Sequence, residues 1–186
     1  KKALAGIVFC TLLISSWACH EEEKPALFQL MPSEETGVHF VNDVENSPDF
    51  NILLYRNFYN GGGVAIGDIN NDGLADIYFT RNQGPNKLFL NKGDFHFEDI
   101  TESAGIGGTK AWSTGVVMVD INNDGWLDVY VCNAGYVKGD DQENELFINN
   151  HDLTFTESAA EYGLNENGYT THAAFFDYDL DGDLDA

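Results

Sequence analysis

Positive charge is scarce in this sequence, which has 9 Lys and Arg residues against 31 Asp and Glu residues and a formal net charge of −22. A surface of that sign repels phosphate backbones and anionic lipid headgroups, so we expect no nucleic acid among its partners. The chain can still bury a core, because 43% of its residues are hydrophobic and its 22% charged residues are not those of a disordered segment. Multivalent cations are the natural counter-charge.

Cysteine is also scarce, with 3 residues in the whole chain. Cys10 and Cys19 lie near the N-terminus, so the rest of the chain has only Cys132 and can form no internal disulfide. Cys132 belongs to the strand-like run "DVYVC" and is expected to be a small, buried, apolar residue. Stability must therefore come from something other than cross-links.

Apolar runs are short, and the one at residues 3–14 cannot span a bilayer. It follows a basic start and precedes small residues and a cysteine, which is the layout of an export signal. "SSWAC" resembles the lipobox of bacterial lipoproteins, with Ser16 in place of the usual Leu. This resemblance implies that Cys19 becomes the lipid-modified first residue. The acidic residues 21–23 resemble the tag that directs some of these proteins to the outer face of the outer membrane.

We therefore predict a lipoprotein signal peptide at residues 1–18 and export to the bacterial outer membrane, at the cell surface, with the membrane contacted through a lipid anchor at Cys19. An ordinary secretory signal with a chance cysteine is the alternative. Residues 19–60 contain Pro25, Pro32 and Pro48 and are predicted to form a tether and an irregular lead segment. One strand is expected near residues 38–41.

A repeated acidic loop organises the remaining sequence. "DINNDG" occurs at residues 68–73 and again at residues 120–125, inside the longer repeats "GVAIGDINNDGLADIYF" and "GVVMVDINNDGWLDVYV". A third, shorter relative, "AAFFDYDLDGDLDA", follows at the C-terminal end. Around each loop lie short runs rich in Val, Ile, Phe and Tyr, separated by Gly, Asn and Asp turns, which is the pattern of strands.

Four such strands in about 40 to 50 residues are typical of one β-propeller blade. We predict an all-β chain that is a fragment of a β-propeller, with about two complete four-stranded blades and the start of a third. The repeat region at residues 61–186 divides into units at about 61–112, 113–169 and a truncated 170–186. Propellers have about four or more blades, so we expect this chain to be part of a larger protein.

Oxygen-bearing side chains occupy alternate positions of each loop, counted from its first Asp. The side chains at positions 1, 3, 5 and 9 are Asp68, Asn70, Asp72 and Asp76 in the first loop, Asp120, Asn122, Asp124 and Asp128 in the second, and Asp177, Asp179, Asp181 and Asp185 in the third. Glycine at position 6 permits a sharp reversal, and the position 7 carbonyls, of Leu74, Trp126 and Asp183, can add an oxygen. We predict that these residues bind Ca²⁺, one ion per loop and three in all.

Calcium is favoured over other metals by the kind and number of donors. The loops contain no His or Cys, which excludes the usual zinc ligands, and so many protein oxygens suit Ca²⁺ better than water-retaining Mg²⁺. An EF-hand is excluded because Phe79 and Val131 occupy position 12, where a Glu is required. Without an ion, carboxylates ~5 Å apart repel by roughly 3 kcal/mol per pair at an effective dielectric of about 20, so the loops should then be disordered. Solvated hairpin turns are the alternative.

The pattern "GVAIGDINNDGLADIYF" resembles the FG-GAP or VCBS-type repeat of integrin α-subunit propellers and of bacterial relatives of cartilage acidic protein. This resemblance covers roughly residues 61–186 and implies calcium in the loop between the first two strands of each blade. We expect a non-catalytic binding or adhesion module for a glycan or protein ligand.

A calcium-dependent polysaccharide lyase of propeller type is the competing hypothesis. It requires a base in the channel, and His172 is the one candidate, at the place that Gly63 and Gly115 hold in the other units. A phosphate-binding loop at "GGGVAIG" is excluded because its glycines precede a strand and no helix follows. Tyr78 and Tyr130 recur in register and are expected in the core between blades.

Overall fold

The computed structural model describes residues 27–110, 112–135 and 142–186. The chain divides into two compact units, Lys1–Met31 and Pro32–Ala186. Of the first unit, residues 27–31 are described, and they are exposed and contain neither helix nor strand. The predicted signal peptide and Cys19 lie outside the described residues. Within the described part, no helix has the length and apolar character needed to cross a membrane.

The second unit is built on two antiparallel sheets of four strands each. The first, blade 1, consists of β1 (Val64–Gly67), β2 (Asp76–Phe79), β3 (Lys87–Asn91) and β4 (Phe97–Asp99). The second, blade 2, consists of β5 (Ser113–Val119), β6 (Asp128–Asn133), β7 (Glu145–Asn149) and β8 (Phe155–Glu157). In both blades the strands pair in sequence order, so each blade is a simple meander. The predicted all-β fold, a segment of a propeller-like structure, is confirmed.

The acidic loops fix the register of the first strand pair in each blade. Gly67 pairs with Asp76 in blade 1, and Val119 pairs with Asp128 in blade 2. In the third unit, Phe176 and Asp185 form the matching pair through two backbone hydrogen bonds of 3.1 and 3.0 Å. In the third unit, the first strand pair is reduced to this single bridge, because residues 173–175 do not pair with another strand.

Short helices were not expected from the sequence. The structure has α1 (Ser33–Thr36), α2 (Thr101–Ala104) and α3 (Ala159–Tyr162). The last two follow the fourth strands of the two blades, and each ends at a glycine, Gly105 or Gly163, with φ of 70°. One helical turn is too short to show a helical period in the sequence, so the recurring glycines were the available signal.

The blades pack face to face through a continuous apolar core. Its buried members from blade 1 include Ala65, Tyr78, Leu88 and Leu90, and those from blade 2 include Val116, Val129, Val131 and Phe147. The Tyr78 hydroxyl donates to the Ile106 carbonyl at 2.7 Å, and the Tyr130 hydroxyl donates to the Leu164 carbonyl at 3.0 Å. The two tyrosines therefore hold equivalent places in successive cores, as predicted. Cys132 is fully buried, and burial raises the pKa of its thiol to about 11, which keeps it inert.

The strand predicted near residues 38–41 is wrong. The alternating apolar residues Val38 and Phe40 suggested a strand, but this stretch packs on blade 1 through side chains and forms no ladder. The Phe40 ring stacks on Phe79 with centroids 4.6 Å apart, and the Asn42 amide donates to Asn82 at 2.8 Å. Period-two alternation marks one apolar side, and it cannot tell a paired strand from an extended segment lying on a sheet.

An aromatic cluster anchors the rest of the lead segment. Phe50, Tyr55 and Phe58 are buried against Trp112, the residue immediately before β5. The Phe50 and Trp112 rings meet edge to face with centroids 4.7 Å apart. Burying each of these side chains contributes about 1.5 to 3 kcal/mol. Tyr55 and Phe58 of "NILLYRNFY" therefore pack beside the blades with Phe50, while Leu53 and Leu54 of the same stretch are exposed.

The blades approach each other most closely at their first strands. A methyl group on Gly63 would lie 2.7 Å from the Thr114 carbonyl oxygen and 3.1 Å from the Cα of Gly115. A methyl group on Gly115 would lie 2.5 Å from the Thr171 carbonyl oxygen and 3.0 Å from the Cα of His172. The three positions that match in the repeats are thus successive neighbours, and two of them have room only for glycine.

Replacing Gly115 by Ala should therefore separate the second and third units. We expect Gly115→Ala to lower the free energy of unfolding by about 1 to 3 kcal/mol, because the contacting atoms are backbone and cannot rotate away. Denaturant unfolding of both chains measures this loss. Gly168→Ala is the matched control, since a methyl group there meets no atom within 4 Å. Equal stability of the two variants would contradict the close approach.

Candidate metal centre

The three acidic loops share one backbone conformation. They span residues 68–76 (loop 1), 120–128 (loop 2) and 177–185 (loop 3); the first two join the first two strands of their blades, and the third is closed by the bridge between Phe176 and Asp185. Position 6 is glycine in each loop, with φ of 86°, 88° and 99°. Position 4 also has positive φ, at Asn71, Asn123 and Leu180. Asn adopts this region more readily than Leu, so position 4 is a second backbone constraint, and it was not predicted from the sequence.

The first carboxylate of each loop accepts two backbone hydrogen bonds from the turn that follows it. Asp68 accepts from the N–H groups of Asp72 at 3.1 Å and Gly73 at 2.7 Å. The same pair of bonds recurs at Asp120, with distances of 2.9 and 2.8 Å, and at Asp177, with 3.2 Å for both. The chain thus winds around the first Asp, as expected for a loop that directs alternate side chains inward.

Positions 3 and 5 are held by the same turn. Asn70 and Asn122 donate their amide N–H to the aspartate at position 5, at 2.9 and 2.8 Å. That aspartate accepts the N–H of position 7 in each loop, at 2.8 Å for Leu74, 2.9 Å for Trp126 and 3.2 Å for Asp183. These bonds bring together positions 1, 3, 5 and 7 in loops 1 and 2 and positions 1, 5 and 7 in loop 3, and the position 7 contact is made by the N–H group and not by the predicted carbonyl.

Position 9 has a role that the sequence did not reveal. Asp76 is fully buried and accepts the N–H of Ile69 at 3.0 Å and the N–H of Asn91 at 2.7 Å. Asp128 is likewise buried and accepts from Ile121 at 3.1 Å and Asn149 at 2.8 Å. Each carboxylate therefore ties its loop to the end of the third strand. Loop 3 has the first of these bonds, from Tyr178 to Asp185 at 2.9 Å.

The environment of position 9 is costly for a negative charge. Burial raises the pKa of Asp128 to about 6, against the opposing effect of its two backbone donors, and the nearby Asp124 and Asp120 carboxylates raise it further. Burial also raises the pKa of Asp76, again with help from its two loop carboxylates. Asp76 and Asp128 thus hold buried negative charge beside other carboxylates, and a bound cation would relieve that cost.

The donor set fits a hard cation. Carboxylate, amide and carbonyl oxygens are the ligands that Ca²⁺ prefers, and each loop offers at least four such side chains within nine residues. In loop 3, one oxygen each from Asp177, Asp179 and Asp185 lie within 4.8 Å of one another. Within the described ranges this is the one group of three acidic, His or Cys side chains that meets so closely. In loops 1 and 2, Asn replaces the acid at position 3.

Loop 2 differs from loop 1 on its exposed side. Trp126 replaces Leu74 at position 7, and its ring stacks on His151 with centroids 4.7 Å apart. The His151 Nε2 also lies 3.0 Å from the Asp124 carboxylate. Slight burial raises the pKa of Asp124, but the hydrogen bonds from His151, Trp126 and Asn122 outweigh it and bring the pKa below its ordinary value. Blade 1 has Gly93 in place of His151, so this contact belongs to loop 2 alone.

Position 9 should stabilise the fold even without a metal ion. Asp76→Asn would set a buried amide N–H₂ against one of two N–H donors, so we expect a loss of about 1 to 3 kcal/mol in chelator, measured by denaturant unfolding. Asp72→Asn is the matched control: it removes the same charge, but Asp72 is exposed and its Asn oxygen can still accept from Leu74. Equal effects of the two substitutions would show that Asp76 contributes charge only.

Comparison with known proteins agrees with this geometry. Residues 68–131, which include loops 1 and 2, match the family described as FG-GAP-like repeat. Over 81 residues the chain is 42% identical to cartilage acidic protein 1 of Xenopus tropicalis, a match to 43% of this chain and 12% of that protein. The human protein of that name is 40% identical over 76 residues, 40% of this chain and 12% of the relative. Residues 68–131 are thus similar to FG-GAP-like repeats, and the chain spans about an eighth of the length of these relatives.

Proposed function

We propose that the chain is a calcium-stabilised repeat segment of a surface-anchored bacterial lipoprotein that serves as a non-catalytic binding or adhesion module for a glycan or protein. The observation that carries this proposal is the threefold recurrence of one loop, with oxygen-bearing side chains at the same positions and the same hydrogen bond from the position 6 N–H to the first Asp. A solvated hairpin turn does not require four oxygen-bearing side chains at fixed alternate positions.

Electrostatics support a structural role for the ion. The net charge of −22 and the absence of disulfides among the residues after Cys19 leave the fold with strong self-repulsion and no covalent support. Loops 1 and 2 each contain three carboxylates, and loop 3 contains five. A divalent cation in each loop would turn this repulsion into attraction and hold the first two strands of each unit in register.

A binding module is favoured over an enzyme by the use of the acidic residues and by the comparisons. The conspicuous carboxylates belong to the loops, and residues 68–131 match an FG-GAP-like repeat. His172, the base proposed for a lyase, is exposed and lies in an irregular stretch beside Gly115. No observation among the described residues favours the polysaccharide lyase. We place the module outside the cell, held through a lipid on Cys19.

Calcium should raise the thermal stability of the chain. A ligand that binds only the folded state adds about 2.7 kcal/mol per site at one hundred times its Kd, which corresponds to a rise in Tm of roughly 5 to 10 °C for a chain of this size. Extracellular calcium modules have Kd values on the order of 10⁻⁴ to 10⁻³ M, so the titration should cover the millimolar range. Calorimetric melting in chelator, in CaCl₂ and in MgCl₂ measures the effect.

The matched controls remove charge inside and outside the loops. Asp68→Asn and Asp120→Asn should each lose part of the calcium-dependent rise, while Asp43→Asn, an exposed aspartate of the lead segment, should keep all of it. An unchanged Tm in chelator, or an equal rise with magnesium, would overturn the calcium proposal.

The lipid anchor can be tested separately. Expressed in a bacterium with a labelled fatty acid, the chain should carry the label and sediment with the membranes. Cys19→Ser should remove both properties, while Cys132→Ser, the matched control, should leave them unchanged. Unlabelled protein released into the medium would identify an ordinary secretory signal instead.

A further inference from the structure

Asn149, the last residue of β7, lies between loop 1 and loop 2. Its backbone N–H donates to the position 9 carboxylate of loop 2, Asp128, at 2.8 Å. Its side-chain amide donates to the Leu127 carbonyl of loop 2 at 3.1 Å and to the Ile69 carbonyl of loop 1 at 2.8 Å. Asn149 is buried, with 3% of its surface exposed, so these bonds are shielded from competing water. One residue is thus bonded to both loops.

The carbonyl that Asn149 reaches is well placed to influence loop 1. Ile69 is position 2, between Asp68 and Asn70, which are two of the predicted ligands. The Ile69 N–H is bonded to Asp76 at 3.0 Å, and its carbonyl is bonded to Asn149, so both ends of this residue are fixed. Ile69 itself is 1% exposed. A shift of Asn149 would therefore be transmitted to the backbone that carries positions 1 and 3.

Blade 1 contains a matched residue that makes the local bonds without the bridge. Asn91 is the equivalent of Asn149: its N–H donates to Asp76 at 2.7 Å, and its amide donates to the Ala75 carbonyl at 2.8 Å. Its side-chain oxygen accepts the Gly93 N–H at 2.9 Å, as Asn149 accepts the His151 N–H at 2.9 Å. The bond to Ile69 is therefore additional to the shared local structure.

A second, exposed contact joins the same two loops. The Asn71 amide, at position 4 of loop 1, donates to the Gly125 carbonyl, at position 6 of loop 2, at 3.1 Å. Loops 2 and 3 face each other across an open cleft of about 360 Å³, lined by Asn123 and Gly182, the equivalents of this pair. The bonded pair of loops is thus loop 1 with loop 2.

We propose that Asn149 is a positioning residue that couples the two loops, so that binding of a divalent cation in loop 2 raises the cation affinity of loop 1, and the reverse. This inference rests on the calcium binding proposed above. A cation bound at Asp128 would contact the carboxylate that accepts the Asn149 N–H. The Asn149 side-chain amide donates to the Ile69 carbonyl, so a change in the position of Asn149 would also move the backbone of loop 1. Thermodynamic linkage makes the coupling equal in both directions.

Calorimetric titration of the full chain with CaCl₂ tests the coupling. All variants carry Asp177→Ala, which disables loop 3, and Asp120→Ala is then added to disable loop 2. With Asn149 intact, we expect the loss of loop 2 to weaken calcium binding at loop 1 by about 5-fold or more, the range of ordinary allosteric coupling. With Asn149→Ala, loss of loop 2 should leave loop 1 unaffected. This double-mutant cycle isolates the interaction from general loss of stability.

Asn91→Ala is the matched control, because it removes the same local bonds and leaves the bridge intact, and the coupling should persist in it. Asn149→Asp is the second variant, in case Asn149→Ala does not fold: its carboxylate can still accept from His151 and cannot donate to Ile69, so the coupling should vanish. Coupling that survives in both Asn149 variants, or independent sites in the chain with Asn149 intact, overturns the inference alone. Absence of any calcium binding with Asn149 intact overturns the proposed function and the inference together.

Discussion

The fold of each blade depends on a buried carboxylate that bonds to backbone N–H groups. Asp76 and Asp128 each hold the second residue of their own loop and the last residue of the third strand. Three parts of one blade thus meet at a charged acceptor, and charge-assisted hydrogen bonds are roughly twice as strong as neutral ones. The same arrangement buries negative charge beside two further carboxylates, which raises the pKa of both aspartates.

The composition of the chain offers little to offset this buried negative charge. A fold that concentrates acidic groups and has few basic ones cannot neutralise them with ion pairs, and a single buried cysteine offers no cross-link. A divalent cation bound at each loop would supply both the missing charge and the missing restraint, as structural metals do in other small domains. The repulsion between the buried carboxylates is therefore the reason to propose a bound cation.

Most of the fold could be predicted from sequence because the unit is repeated. Four strands with recurring turns identified the blades, and the Gly67 to Asp76 register follows from a loop of fixed length. The stretch at residues 38–41 was misassigned because its apolar alternation serves packing on a sheet. Position 9 was assigned as a ligand alone, since no sequence pattern reports that Asp76 is buried against the Asn91 N–H. Contacts between distant residues of this kind become visible only in the folded chain.

The two blades are equivalent inside and different where they meet. Asn91 and Asn149 make the same local bonds, yet only Asn149 has a neighbouring loop within reach of its amide, because loop 1 lies on that side of blade 2. Gly63 and Gly115 likewise owe their identity to the next unit and not to their own. Each unit of the repeat therefore carries residues whose contacts form only when another unit lies beside it. The proposed coupling between loops 1 and 2 rests on such a residue, because Asn149 is bonded both to Asp128, a predicted ligand in loop 2, and to Ile69 in loop 1.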